Sequence, residues 1–263
     1  MADTLRELAK AHLFAGALFF AMRSCEYLWV SWLERKTRCT RGKDVVFWVG
    51  PAVVPHDKLD EIEPDSVSIT FGRQKSEIKD ETVTQDATDD PQLNPVTHWK
   101  HTIQRLRSYP NYSDEWPVST FHDGTKFSRI TSKEMLILIR AAVDFIGPDV
   151  LGFTSDEVGT HSGRAAAAML MILAKEPTYS VMLIGRWSSD AFLTYIEKQI
   201  KEFTRGVSSR MLTNDTFFNV PHASTTTNNA TTTVHGQSHH RRVRLNLLYG
   251  RQGSLRHQLR AQN

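Results

Sequence analysis

Three short runs rich in β-branched and aromatic residues lie between stretches whose apolar residues recur at helical spacing. They are Val45 to Val49, Ser66 to Phe71 and a weaker one from Glu81 to Gln85. Side chains alternate with period 2 on a strand and 3.6 on a helix, so a chain carrying both patterns must build a mixed core. Polar and Pro-containing segments separate the three runs, as expected for a small antiparallel sheet with Lys75 near a turn. The expected fold class is therefore mainly α with a small antiparallel β-sheet, an α+β arrangement.

The helical segments carry their own punctuation. Residues 4 to 22 place Leu, Ala and Phe at helical spacing without Pro, and a second helix is expected from Tyr27 to Arg35. Residues 86 to 95 form a loop by composition, after which Pro95 suits the first position of a helix through Trp99, Ile103 and Leu106. The Pro-, Asp- and Gly-rich stretch from Tyr109 to Ser128 reads as irregular. Thr131 with Glu134 makes a capping box before MLILIRAAVDFI, a helix that should stop before Gly147-Pro148. Further helices are expected at 161 to 175, about 178 to 186, and 188 to 204. From Ala223 the run STTTNNATTTVHGQS cannot bury enough apolar surface to order itself, so the division expected is a folded unit to 222 and a disordered tail over 223–263.

With 263 residues the chain can bury a substantial core. A net charge of +3 permits nucleic-acid binding without requiring it, because clustering decides affinity. The tail from 224 to 263 holds six Arg and no acid, so it is either a loose phosphate-binding arm or a solvated extension. Cys25 and Cys39 fit a reducing compartment, and the apolar run near Leu13 to Met22 is too short to span a bilayer. An intracellular protein without membrane contact is expected, in which the sequons at Asn111, Asn214 and Asn229 stay idle. HHRRVR in the tail offers a weak nuclear address.

The most specific chemistry lies in GTHSGRAAAAMLMILAKEPTYSVMLIGRWSSDAFLTYIE. His161 and Arg164 stand at i, i+3 on an expected helix and can face one ligand. Gly185-Arg186-Trp187 and then Tyr195 follow. A guanidinium fork, an imidazole, an indole N–H and a phenol make sense together around one phosphate. This block resembles the C-terminal half of the tyrosine recombinase (phage integrase) catalytic domain, most closely in the wording of eukaryotic crypton-like or DIRS-like mobile-element members. That family's first Arg sits in an Arg-x-x-Glu context, matched here by Arg23 and Glu26 in AMRSCEYL. Its Lys lies on a β-hairpin, where Lys75 is the first candidate and Lys79 the second. The resemblance covers about residues 10 to 220.

The resemblance implies DNA strand cleavage and rejoining on double-stranded DNA, with Tyr195 as nucleophile and a 3′-phosphotyrosyl intermediate. It implies that Arg23 and Arg164 clamp the nonbridging oxygens, that Lys75 protonates the departing 5′-oxygen, and that His161 relays the tyrosine proton. Trp187 would donate its indole N–H and wall the pocket. Neither metal nor other cofactor is implied, and self-association into a tetramer on two duplexes is.

Each residue also has a plainer reading. His161 caps the helix that follows it, Arg164 lies on the surface, and Trp187 and Tyr195 are core packing. Arg23, after an apolar run, needs an anion, and Glu26 or a substrate phosphate would serve. Two features depart from the family. Trp187 to Tyr195 is eight residues where many relatives have nine, which turns a helical side chain by about 100°. Only about twenty residues precede Arg23, too few for the usual N-terminal clamp domain. A catalytically decayed or domesticated DNA-binding protein is the competing expectation.

Overall fold

The computed structural model describes residues 2–30, 37–73, 79–187 and 193. All lie in a unit running from Met1 to Val207. Expectations for the 188–204 helix, the 222/223 boundary and the tail lie outside the described residues, Leu193 apart.

The architecture is α+β. Helix α1 (Ala2–Phe19) turns at Ala21 into a one-turn helix α2 (Ser24–Tyr27). Strands β1 (Val45–Val49), β2 (Ala52–Val54), β3 (Ser66–Arg73) and β4 (Lys79–Asp86) form an antiparallel sheet in the order β2-β1-β3-β4. Then come α3 (Pro95–Arg107), a hairpin of β5 (Thr120–His122) and β6 (Phe127–Arg129), and α4 (Ser132–Ile146). Three helices complete the described part: α5 (Pro148–Leu151), α6 (Ser162–Leu173) and α7 (Thr178–Gly185). No described helix is long and apolar enough to cross a membrane.

The sheet's register explains its two faces. Val45 pairs with Ile69 and Phe47 with Val67, and all four are buried in the core. On the other face Ser68 accepts from the Trp48 indole at 2.8 Å and meets the Thr84 hydroxyl at 2.8 Å, so polar cross-strand pairs occupy the second side. Helices α1 and α3 lie together over the core with Leu13, Phe20, Trp99, Ile103 and Leu106 fully buried. Gly16 permits this approach, since a Cβ there would lie 2.9 Å from the Trp99 indole nitrogen.

Local signals operate as the sequence suggests at two helix starts. Asn94 Oδ1 accepts from the amides of Val96 and Thr97 ahead of Pro95. Thr131 Oγ1 accepts from the Glu134 amide at 3.2 Å while Glu134 Oε2 accepts from the Thr131 amide at 2.8 Å, a complete capping box.

Two expectations need correction. The helix expected from Tyr27 to Arg35 does not begin there: α2 ends at Tyr27, Leu28 is extended, and Trp29 makes a parallel bridge to Thr131. Pairing with the start of α4 overrides the apolar periodicity, while 31–36 lie outside the described residues. The stretch from Tyr109 to Ser128 is not wholly irregular, because β5 and β6 pair across a turn at Asp123-Gly124. Asp123 Oδ1 accepts from the amides of Thr125 and Lys126, an Asx-type turn too short to signal itself by alternation.

Candidate functional site

Three of the expected site residues, Arg23, Arg164 and Trp187, meet at the corner between α1 and α2. A helix leaves its last carbonyls without intrahelical donors and carries partial negative charge at that end. The last turn of α1 supplies no basic residue of its own. The Met22 and Ala21 amides and Gln85 Nε2 take the carbonyls of Ala17, Leu18 and Phe19, and two arginines from far along the chain take the next two, Phe20 and Ala21. Arg164, in the first turn of α6, donates from Nη1 to the Ala21 carbonyl and from Nη2 to the Gly185 carbonyl. Arg186, just past α7, donates from Nη1 to the Phe20 carbonyl at 3.0 Å.

Arg23 opens α2 from an extended backbone, and Glu26 folds back onto it. Glu26 Oε2 accepts from the Arg23 amide at 2.7 Å and Oε1 accepts from Arg23 Nη1 at 2.9 Å. The same carboxylate takes Arg186 Nη2 at 2.6 Å on Oε2. Glu26 and Arg186 side chains are each 1% exposed, while that of Arg23 is 20% exposed, so the line of charges runs from the interior toward solvent. Burial pushes the Arg186 guanidinium below its ordinary value, and Glu26 draws it back up.

Aromatic rings face both buried guanidinia. Trp187 lies 4.2 Å from the Arg164 guanidinium carbon and Phe71 lies 3.5 Å from that of Arg186, the geometry of cation–π contact. Trp187 reaches its place because Arg186 takes a left-handed backbone (φ 54°), closing α7 with bonds from the Arg186 and Trp187 amides to the Met182 carbonyl. The ring then folds across Gly185, where a Cβ would stand 1.6 Å from Trp187 Cζ3. Gly185 is thus required by the Trp187 ring and by nothing in its own dihedrals.

His161 occupies the N-cap position of α6, yet its ring makes no capping bond and is exposed. The plain capping reading therefore applies to its backbone and not to its imidazole. Arg140 steadies the approach to this point by donating from Nε and Nη2 to the Val158 carbonyl at 3.1 and 2.9 Å. The plainer reading of Arg164 as a surface arginine does not hold, since the residue is 3% exposed.

Of the six residues singled out from sequence, the structure brings Arg23, Arg164 and Trp187 to one corner and puts His161 at the mouth of α6. Lys75 falls between β3 and β4, and both it and Tyr195 lie outside the described residues. Lys79, the second lysine candidate, is the first residue of β4. Glu26 is the anion that Arg23 needs. Arg186, which the sequence pattern gives no role of its own, follows from the same logic: a cation between Ile184, Gly185 and Trp187 demands a partner if the segment is buried.

No family model, curated protein or solved structure matches this chain.

Proposed function

We propose that the chain cuts and rejoins double-stranded DNA in the manner of the tyrosine recombinases, adopting their catalytic fold around the α1–α2 corner. The observation that carries this reading is the convergence of Arg23, Arg164 and Trp187, distant in sequence, on one corner, in the combination that the family's pattern requires. Tyr195 attacks a backbone phosphorus, the bond to the 5′-oxygen breaks, and a 3′-phosphotyrosyl ester remains beside a free 5′-hydroxyl. The reverse attack restores the phosphodiester, so no nucleotide is consumed.

Arg23, at the solvent edge, donates to the nonbridging oxygens on which negative charge grows, Arg164 adds its positive charge from its buried place behind them, and losing either costs about 10²–10³ in rate. Lys75 protonates the 5′-oxygen, and exposed His161 accepts or relays the tyrosine proton. Trp187 buttresses the Arg164 guanidinium and walls the pocket. In the cell such an enzyme works in the nucleus, assembled as a tetramer on two duplexes, with the basic tail as a loose phosphate-binding arm.

A second reading is DNA binding without turnover. It is favoured by the deep burial of Arg164, whose two terminal nitrogens both bond to backbone carbonyls. Nicked duplexes of randomised sequence decide between them. Wild-type chain should leave a covalent DNA adduct on a denaturing gel, and Tyr195→Phe should leave none. Retention of duplex by both proteins without any adduct would establish the second reading.

A further inference from the structure

We propose that Arg186 is a positioning residue that sets the Arg23 guanidinium through Glu26 and itself touches no substrate. The inference rests on the strand-cleaving reading and assigns a role within that site.

Stability alone does not account for Arg186. Exchanging a buried ion pair for apolar groups of similar size is often neutral or stabilising. Arg186 also adopts a left-handed backbone, which disfavours any residue with a Cβ. Among the groups that hold its guanidinium are Glu26 Oε2 at 2.6 Å, the carbonyls of Phe20 at 3.0 Å and Ile184 at 3.2 Å, and the Phe71 ring at 3.5 Å. A group so held cannot swing toward a ligand.

Its effect on Glu26 is specific. A carboxylate beside an arginine tends toward a two-bond fork that engages both of its oxygens. Here Oε2 is taken by Arg186 and by the Arg23 amide, so the Arg23 side chain meets Glu26 end-on through Nη1 and Oε1. Without Arg186 the carboxylate is released to rotate, close the fork and draw the Arg23 guanidinium inward from the solvent edge. Arg186 thereby keeps Arg23 presented toward an incoming phosphate.

Single-turnover cleavage of a nicked duplex by the full chain tests this. Arg186→Met should slow cleavage about 10²-fold, the loss that a displacement of about 1 Å produces, with duplex affinity within about threefold of wild type. The double variant Arg23→Ala/Arg186→Met should cleave no more slowly than Arg23→Ala, because Arg186 acts through Arg23. Multiplied losses in the double variant, or equal losses of affinity and rate, would overturn the proposal. Arg186→Lys keeps the charge in case Arg186→Met does not fold, and should slow cleavage about tenfold. A wild-type rate in Arg186→Lys would overturn it too.

An arginine-selective ¹⁵N spectrum separates this failure from failure of the enzyme reading. If wild type forms no adduct, the cleavage reading is lost. The Arg23 Nε–Hε resonance, assigned with Arg23→Lys, then decides: a shift in Arg186→Met or Arg186→Lys upholds the strut, and an unmoved resonance in both refutes it.

Discussion

Replacing Gly185 by Ala tests whether the Trp187 ring is held where the geometry places it. The added Cβ would meet Trp187 Cζ3 at 1.6 Å, Cε3 at 1.9 Å and Cη2 at 2.4 Å. Carbon atoms rest about 3.5–4.0 Å apart, so the ring must retreat by roughly 2 Å. It cannot do so and stay 4.2 Å from the Arg164 guanidinium. Losing a desolvated cation–π contact costs about 2 kcal/mol, and overpacking adds about 1–3 kcal/mol. The better helix propensity of Ala returns at most about 1 kcal/mol, so a net loss of about 2–4 kcal/mol is expected. Urea denaturation of the full chain measures it, with Gly159→Ala as control. A Cβ at Gly159 meets nothing within 4 Å, and that variant should stay within about 0.5 kcal/mol of wild type. Gly185→Ala should then become harmless in a Trp187→Ala background, where no ring remains to be displaced. An equal cost in both backgrounds, or a cost below about 0.5 kcal/mol in the wild-type background, refutes the reasoning.

Three further outcomes are expected. Glu26→Leu leaves Arg23 and Arg186 without their shared carboxylate and should cost about 3–5 kcal/mol in the same denaturation assay, whereas a neutral result would mean that the pair is dispensable. Burial, with His101, His98 and Arg105 nearby, holds the His12 imidazole at about 4 against 6.5 for an ordinary histidine. The unfolded chain therefore takes up this proton first, so stability is retained above about 6.5 and declines toward 4; His12→Gln should flatten the decline measured by denaturation across that window. Thr131→Ala removes the acceptor for the Glu134 amide and should cost about 1 kcal/mol, checked by the shift in denaturation midpoint.

The parts of the fold that local chemistry specifies were legible. Pro95 behind Asn94 and the Thr131–Glu134 box name their helices through bonds made within a few residues, and the β-branched runs name their strands by composition, although their partners in the neighbouring runs lie 10–24 residues away. Trp29 was not legible, because its partner is Thr131, a hundred residues away, and no local pattern announces a bridge of that length. The site divides the same way. Arg23 and Glu26 are neighbours on one turn, so their pairing could be anticipated from spacing and burial. That Arg186 would reach the same carboxylate depended on how α7 ends, and a left-handed arginine is not what composition suggests at a helix terminus, where Gly or Asn is favoured.

The arrangement also says when the site can exist. The bonds from Arg164 to Ala21, Arg186 to Phe20 and Arg186 to Glu26 span 143, 166 and 160 residues. Closing loops of that length costs entropy that no single contact offsets, so these bonds cannot lead folding. They must follow assembly of the core that fixes the end of α1, where Phe20, Leu13 and Trp99 are fully buried. Once α1 is fixed, the carbonyls of Phe20 and Ala21 just past it and the Glu26 carboxylate present acceptors in a set geometry, and the second arginine closes at far less cost than the first. The guanidinium cluster therefore depends on the α1–α3 core that fixes the end of α1. A cavity made in the α1–α3 core, far from any substrate, should loosen Arg23 and Arg164 before it unfolds the sheet.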